Sequence, residues 1–305
     1  MMLALTSLKH FFTISQYLEV LFLKKLGIRA HDLEAHAIEP LITTLKQLDV
    51  STIQLALSKS FPALFNHGQL PANEVQLIAD QLTTNHITVP ILGCYLNIID
   101  SNDQKRLTNL ALFKQYLAIA HLFPGSVVAT ETGSVSPAGY TVQNFTQSAF
   151  QKVIESVTEL VDYAHQINAT VAIEPGVNHP LYNNQLVKQL IDQVSDQDHL
   201  KIIFDPVNLL TIDNYLDQQI LIDQAIINYG PSIIACHLKD FQIINHQLIV
   251  VPFGKGALDT AYLFTKLDEM NPELNYFLET AKSPDIEQIL AAYHQNNCEF
   301  INFRL

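Results

Sequence analysis

The chain of 305 residues carries a formal net charge of −13, and 48% of its residues are hydrophobic. The acidic balance argues against non-specific nucleic-acid binding, because that binding depends on Lys and Arg side chains that neutralise phosphates. The apolar fraction is sufficient for one large core, and α/β barrels of this length commonly form one domain. The three cysteines, Cys94, Cys236 and Cys298, contain no CxxC pair, which favours a reducing, cytoplasmic setting.

The N-terminal segment, residues 1–25, is apolar but is interrupted by Lys9, His10 and Glu19. No small-x-small cleavage site follows its apolar part, which argues against a signal peptide. No part of the chain has the roughly 18 uninterrupted apolar residues of a transmembrane helix, so we expect no membrane partner. We predict an N-terminal helical extension that is amphipathic and packs on the main domain. A disordered or mis-started extension is the alternative.

Eight strand-like segments follow the extension. Most are rich in Val, Ile and Leu, as expected of strands that are covered on both faces. In chain order they span residues 26–33, 51–57, 87–98, 126–132, 170–175, 200–207, 233–240 and 275–280.

Segments with helical periodicity separate these strands. The clearest helical face consists of Phe150, Val153, Ile154, Val157, Leu160, Val161 and Ala164. Strand and helix alternate without a Gly/Ser linker or a low-complexity tract. The sequence therefore predicts an α/β fold, a single-domain (β/α)8 TIM barrel over residues 26–305. Its active site is expected at the carboxyl ends of the strands.

Four potential metal ligands stand at the ends of the last four strand segments: Glu174, Asp205, His237 and Glu279. Enough residues separate each from the next for one crossover helix and the following strand, as parallel strands require. Side chains alternate along a strand, so His237 and Lys239 share one face while Cys236 faces the other way. We expect the four side chains to meet inside the rim of the barrel.

Three carboxylates and one imidazole would hold a divalent cation, namely Mn²⁺, Mg²⁺, Co²⁺ or Zn²⁺. One acidic residue at a strand end is more often a helix cap or a solvated charge, so the prediction depends on all four together. A cation there would acidify the C–H bond beside a carbonyl and offset the charge of a cis-enediolate. Glu174 and Glu279 would exchange protons with opposite faces of the substrate, which predicts a sugar isomerase or epimerase.

Weaker candidates for substrate binding lie close to these ligands in the sequence. His179, in the loop after the fifth strand, either contacts substrate or caps the next helix. Asn208 either donates a hydrogen bond to a substrate hydroxyl or orders its own turn. Lys239 is expected to face inward, towards substrate or a metal ligand. Glu131, at the end of the fourth strand, either binds substrate or only pairs with a neighbouring lysine.

The segment VPFGKGALD, residues 251–259, is neither a dinucleotide-binding fingerprint nor a P-loop, because its glycines and lysine have the wrong spacing. We expect its glycines to allow a tight turn near the barrel mouth. Asp259 is expected to cap a helix that begins at Thr260.

From residue 26 onwards the chain resembles the xylose isomerase-like superfamily of sugar isomerases and epimerases. The metal ligands of that superfamily lie on strands five to eight, and the resemblance places them at Glu174, Asp205, His237 and Glu279. It also implies that the two glutamates are the acid/base pair, as in the ketose 3-epimerases. HLKD followed by VPFGKGALD resembles the L-xylulose-5-phosphate 3-epimerase branch. Asn208 and Ile243 replace a substrate-binding His and an Arg of the tagatose and psicose 3-epimerases, which argues against a free ketohexose.

The alternatives to a keto-sugar isomerase or epimerase are a lyase, a nuclease and a non-catalytic sugar-binding protein. An inosose-dehydratase-like lyase would use the same barrel and the same enolisation, followed by loss of hydroxide. A nuclease similar to endonuclease IV would need further His and acidic ligands on the early strands. A non-catalytic sugar-binding barrel would not require the full ligand set. The sequence leaves open the sugar, its phosphorylation, the carbon inverted and the oligomeric state, although dimers and tetramers are common in similar enzymes.

Overall fold

The computed structural model describes residues 25–65, 70–194 and 196–303 of the chain. The extension predicted over residues 1–25 lies outside the described residues, apart from Lys25, with which the first strand begins. It stays a prediction.

Ten strands are described, and eight of them form a closed parallel barrel. Their bounds are β1 Lys25–Arg29, β2 Thr52–Leu55, β3 Thr88–Gly93, β4 Val127–Glu131, β5 Val171–Glu174, β6 Leu200–Phe204, β7 Ile233–Leu238, β8 Asp240–Ile244, β9 Gln247–Val251 and β10 Asn275–Leu278. Neighbouring barrel strands follow chain order, and β10 closes the barrel by pairing in parallel with both β7 and β1. Each of the eight predicted strands is a barrel strand, so the (β/α)8 prediction is confirmed.

Helices connect the strands and cover the barrel. Their bounds are α1 Ile38–Gln47, α2 Leu57–Ser60, α3 Ala72–Thr84, α4 Asp103–Ile119, α5 Gln147–Ile167, α6 Asn184–Gln193, α7 Gln218–Tyr229, α8 Thr260–Met270 and α9 Asp285–Phe303. All seven residues of the apolar face predicted for α5 are buried. Asp259 caps α8 as predicted, because its carboxylate accepts a hydrogen bond from the Tyr262 backbone N–H at 3.2 Å. Among the described helices, none combines the length and the apolar character that a membrane span needs.

The interior of the barrel is filled by inward-facing side chains. They form a cluster of Ile91, Val127, Ala129, Ala172, Ile203, Ala235 and Phe277. Ala235 precedes His237 by two residues and therefore lies on the same face of β7, whereas Cys236 packs in the outer core with the helices. The alternation predicted for this strand is confirmed. His237, the next inward side chain, therefore lies nearer the barrel mouth than Ala235.

The first and third strands show the largest differences from their predicted ends. The first strand was predicted to continue to residue 33, but residues Ala30–Leu33 form a 3-10 helix. The chain turns there because the Arg29 guanidinium bonds both oxygens of Asp32, with Nε to Oδ2 at 2.7 Å. The third strand was predicted to continue to residue 98 but ends at Gly93. Beyond it the chain forms a loop, in which the Asn97 carboxamide oxygen accepts hydrogen bonds from the backbone N–H groups of Ile99 and Ser134.

An antiparallel hairpin, β8 and β9, follows β7 directly and was not predicted. Its turn residues Asn245 and His246 have φ values of 49° and 58°, the left-handed conformations that suit tight hairpins. The next turn contains Gly254, with a φ of 80°, and Gly256. A Cβ at Gly256 would overlap the Phe241 carbonyl oxygen and the Asp240 carboxylate. The tight turn predicted for these glycines is therefore confirmed.

Gly256→Ala is expected to lower the free energy of unfolding by about 1–3 kcal/mol, as overpacking typically does. The added methyl group must displace backbone atoms or the Asp240 carboxylate, which accepts a 2.9 Å hydrogen bond from the Gly256 backbone N–H. Urea denaturation measures the effect. Lys255→Ala, an exposed change in the same turn, serves as the control and should cost less than about 1 kcal/mol. Equal stability of both variants would show that the turn is not tightly packed.

Candidate metal centre

The structure brings Glu174, Asp205, His237 and Glu279 together at the carboxyl ends of β5, β6, β7 and β10. One ligand atom from each of the four lies within 4.8 Å of those from the other three. Glu174 is the last residue of β5, and Asp205 and Glu279 directly follow β6 and β10. Glu174, Asp205 and His237 are buried, and the Glu279 side chain is 15% exposed. Four polar groups that are distant in sequence thus share one small volume.

His237 bridges the two glutamates. Its Nδ1 lies 3.0 Å from Glu174 Oε1 and 3.0 Å from Glu279 Oε2. Burial alone would lower the pKa of His237, but Glu174 and Glu279 outweigh burial and raise the pKa to about 10. Its Nε2 lies 2.7 Å from the Gln54 carboxamide oxygen on β2, which can only accept a hydrogen bond. Nε2 therefore carries hydrogen, and Nδ1 is the nitrogen that faces the carboxylates.

Lys239 supplies a second positive charge beside the carboxylates. Its buried Nζ lies 2.9 Å from Asp205 Oδ2 and 3.4 Å from Glu279 Oε2. Burial raises the pKa of Asp205 to about 6, and Lys239 limits that rise. Burial would also raise the pKa of Glu279, yet Lys239, His237 and Arg29 hold it well below its usual range. The positive charges of His237 and Lys239 therefore offset the negative charge of the neighbouring carboxylates.

The donor set fits a divalent cation. Asp205 Oδ2 and Glu279 Oε2 are buried without a well-directed hydrogen bond, although cationic groups lie near both. Buried carboxylate oxygens normally have hydrogen-bond partners or coordinate a metal. Three carboxylates and one imidazole nitrogen suit Mn²⁺, Mg²⁺, Co²⁺ or Zn²⁺. The four predicted residues therefore have both the chemistry and the proximity that a metal centre requires.

Sequence reasoning missed two residues of the site, Arg29 on β1 and Gln54 on β2. Arg29, the last residue of β1, bonds Glu279 Oε1 through Nη1 at 2.8 Å. Gln54 on β2 is fully buried and also donates a hydrogen bond to the Tyr95 hydroxyl. Arg29 follows the apolar Ile28, and Gln54 lies between Ile53 and Leu55, so a signal was present in the sequence. The partners of both residues, however, depend on how the barrel closes.

Gln54→Leu is expected to weaken divalent-metal binding by about 10–100-fold, the usual cost of removing the group that orients a ligating histidine. Leu cannot accept the hydrogen bond from His237 Nε2, so the ring loses its fixed tautomer and orientation. Titration calorimetry with Mn²⁺ or Zn²⁺ measures the affinity. Gln76→Leu, on the exposed face of α3, is the matched control. Equal affinities in the two variants would contradict the orienting role.

Asn208 orders its own turn, which is one of the two roles considered from the sequence, and the other role, a hydrogen bond to a substrate hydroxyl, stays a prediction. Its backbone N–H donates to Asp205 Oδ1 at 3.1 Å, which orders the turn after β6. Its side-chain nitrogen donates to Glu174 Oε1 at 2.7 Å, and its oxygen accepts from Lys239 Nζ at 2.7 Å. The carboxamide therefore links the carboxylate on β5 to the buried ammonium on β7.

A cavity of about 450 Å³ has Glu131 and His179 in its wall, and Glu131 is paired in register with Glu174 of the four-residue centre. His179 is buried and held by the Gly133 backbone at Nδ1 and by the Tyr140 hydroxyl at Nε2, 3.1 Å away. Burial lowers the pKa of His179. Burial and the charge of Glu174, the register partner of Glu131, raise the pKa of Glu131. The volume lies in the usual range for small-molecule pockets.

The sequence model of the xylose isomerase-like TIM barrel family matches residues 42–297, most of the chain. The chain belongs to the xylose isomerase-like TIM barrel family. The resemblance inferred from the sequence is therefore confirmed at the level of the family. No curated protein matches the chain in sequence.

Several solved structures share the fold of this chain. The IolI protein with a bound zinc atom is 13% identical, with a TM-score of 0.68 over 92% of this chain and 99% of that one. The 3-keto-D-glucoside 4-epimerase YcjR from E. coli is 15% identical, with a TM-score of 0.67 over 90% of this chain and 99% of that one. The probable 3-DHS dehydratase AsbF from Bacillus anthracis is 14% identical, with a TM-score of 0.66 over 88% and 97%. Identities this low show a common xylose isomerase-like fold and no more.

Proposed function

We propose that this protein is a divalent-metal-dependent isomerase or epimerase of a small keto-sugar or sugar phosphate. The single observation that supports it most is the convergence of three carboxylates and one imidazole at the barrel mouth, within 4.8 Å of one another. Active sites of such barrels lie at this end of the strands. A cytoplasmic enzyme, a homo-oligomer and a catalytic domain over residues 26–305 are part of the same proposal.

Glu174, Asp205, His237 and Glu279 would hold the metal. When bound, a divalent cation supplies Lewis acidity that favours loss of a proton from the carbon beside a carbonyl. His237 would present Nδ1, because Gln54 fixes hydrogen on Nε2. Asn208 and Lys239 would keep the carboxylates of β5 and β6 oriented.

The two glutamates would transfer the protons. Both carboxylates lie 3.0 Å from His237 Nδ1, yet they come from different strands and have different neighbours. Glu174 accepts a hydrogen bond from the neutral Asn208 side chain, whereas Glu279 contacts the charged Arg29. One glutamate, as the carboxylate, removes the proton next to the carbonyl, and the other, as the carboxylic acid, delivers its own proton to the opposite face of the cis-enediolate. Two groups with different surroundings can act as base and acid in one reaction.

The substrate would occupy the cavity beside the glutamates. Glu131 and His179 are the proposed sugar contacts in its wall, and Asn208 and Lys239, which bond each other beside the metal ligands, are the other proposed contacts. Neutral His179 and the Tyr140 hydroxyl suit a polyol, because both can exchange hydrogen bonds with hydroxyl groups. A phosphorylated ketose agrees with the sequence resemblance to the L-xylulose-5-phosphate 3-epimerase branch.

A lyase similar to inosose dehydratases is the second candidate. The observation that favours it is the shared fold with AsbF, which is described as a probable dehydratase. The same proton abstraction would then be followed by departure of hydroxide rather than by return of the proton. Uptake of solvent deuterium without loss of water distinguishes an epimerase from this lyase.

The proposed function is tested by incubating the protein with free and phosphorylated ketoses in D₂O with added Mn²⁺, Mg²⁺, Co²⁺ or Zn²⁺. Exchange of the proton beside the carbonyl is followed by NMR, together with the formation of an epimer or aldose. We expect exchange for a small subset of the sugars, and loss of exchange in Asp205→Ala. Absence of exchange with every sugar and every metal would contradict an enolising enzyme.

A further inference from the structure

A second group of potential metal ligands lies at the opposite end of the barrel from the centre described above. It consists of His165, Asp196 and His199, and one donor atom from each lies within 4.8 Å of the other two. His165 is in the last turn of α5, while Asp196 and His199 lie in the segment that enters β6. These three residues play no part in the proposed sugar chemistry. We call them the α5–β6 cluster.

Asp196 is the central member of the cluster. Its Oδ2 lies 2.5 Å from His165 Nδ1 and 3.9 Å from His199 Nε2. Its other oxygen, Oδ1, accepts a 3.0 Å hydrogen bond from the Asp198 backbone N–H. That bond fixes the carboxylate and leaves Oδ2 directed at the two imidazoles. Within the described part of the chain, no Lys or Arg forms an ion pair with Asp196.

The contacts of His199 indicate which of its nitrogens is free. Its Nδ1 lies 2.5 Å from the Ala169 carbonyl oxygen, which can only accept a hydrogen bond. Nδ1 therefore carries hydrogen, and the form of the ring that can bind a metal presents the Nε2 lone pair towards Asp196 Oδ2. Two acceptors 3.9 Å apart make no hydrogen bond with each other, but a cation between them would satisfy both. A hydrogen bond from the far nitrogen to a backbone carbonyl is also typical of metal-ligating histidines.

We propose that His165 Nδ1, Asp196 Oδ2 and His199 Nε2 form a second divalent-metal site, of the class that binds Zn²⁺ and the neighbouring transition metals. Two imidazoles and one carboxylate are ligands that Zn²⁺, Co²⁺, Ni²⁺ and Cu²⁺ accept, unlike Mg²⁺ or Ca²⁺, which prefer oxygen donors. Bonds of about 2.0 Å at tetrahedral angles place donors about 3.3 Å apart, between the two separations observed here. The His165 side chain is 65% exposed, so solvent can supply the remaining ligands.

The site has a structural consequence. A metal there would join the end of α5 to the segment that enters β6, at the face of the barrel associated with stability rather than catalysis. A cation that binds only the folded chain raises the midpoint of thermal unfolding. The site would act in this way whatever the barrel mouth binds.

The test compares Zn²⁺ binding by the full chain and by the variants His165→Ala and His199→Asn. Equilibrium dialysis with metal analysis gives the number of Zn²⁺ ions per chain and the affinity of each. His121→Ala, an exposed histidine outside the cluster, is the matched control. Thermal unfolding in EDTA checks that each variant folds, and any variant that does not unfold cooperatively is replaced by Asp196→Asn.

We expect each cluster variant to bind one Zn²⁺ ion fewer per chain, or to bind that ion at least about tenfold more weakly. Zn²⁺ should also raise the unfolding temperature of each cluster variant less than it raises that of the parent. The His121 control should match the parent in both measurements. Unchanged stoichiometry, affinity and Zn²⁺-dependent stabilisation in the cluster variants would overturn the proposal. Because only the difference between variants is read, binding at the barrel mouth does not affect the outcome.

Discussion

Glu279→Gln is expected to lower kcat by about 10²–10⁴-fold on the sugar substrate, the range of effects for loss of a general acid or base. Gln cannot take up or return a proton at pH 7, although it keeps the size of Glu and one oxygen donor. The side chain still reaches Arg29, which lies 2.8 Å from Glu279 Oε1. Affinity for the sugar should therefore stay within about fivefold of the parent, since ground-state binding depends less on this charge. Steady-state kinetics and calorimetry with saturating metal measure the two quantities.

The control for this prediction is Glu269→Gln, an exposed change on α8 whose nearest cation is Lys266 at 3.5 Å. It should leave kcat and affinity unchanged. Metal content is measured in parallel, because Glu279 is also a proposed ligand. Full activity of Glu279→Gln at full metal occupancy would exclude proton transfer by this residue. Unchanged activity of the parent protein after removal of its metal would exclude a metal-dependent reaction.

Lys239→Met is expected to destabilise the metal-free protein by about 3–5 kcal/mol, the usual cost of leaving one partner of a buried ion pair uncompensated. The Lys239 side chain is 5% exposed and Asp205 is 0% exposed, so solvent does not replace the lost ammonium. Three carboxylates would then share one cavity with only His237 and Arg29 to balance them. Urea denaturation in EDTA measures the loss.

Added Mn²⁺ or Zn²⁺ should stabilise Lys239→Met more than the parent, because a divalent cation between the carboxylates replaces the missing charge. Lys266→Met removes a partly exposed lysine far from this centre and should change stability by less than about 0.5 kcal/mol with or without metal. Equal metal-dependent stabilisation of Lys239→Met and the parent would show that Lys239 does not compensate the charge of this centre.

The fold could be predicted from the sequence because each barrel strand is a short apolar segment and each connection is long enough for a helix. The four-residue centre was also predictable, since each member lies two residues after an inward-facing residue of its strand. Because side chains alternate along a strand, the local sequence alone places Ala235 and His237 on the same face. Strand ends were less predictable. The bend at Ala30 depends on an ion pair between Arg29 and Asp32, which sequence periodicity does not reveal.

Contacts across the barrel could not be predicted in the same way. Gln54 and His237 are far apart in sequence and meet only because β2 and β7 face each other across the interior. Lys239 was expected to face inward, but its pairing with Asp205 and Asn208 depends on the charge balance of the assembled site. The hairpin was missed because its turn is Asn245-His246, and neither residue is the glycine that usually marks such turns.

The four-residue centre and the wall of the cavity belong to different parts of the fold. The acidic residues and the imidazole are anchored on or directly beside hydrogen-bonded strands, whereas Gly133, Tyr140 and His179 belong to the connections that line the cavity. Substitutions and length changes are tolerated more readily in connections than in the strands of a closed barrel. Descendants of this chain can therefore acquire new substrate preferences by altering those connections, while the four clustered side chains pass to them unchanged.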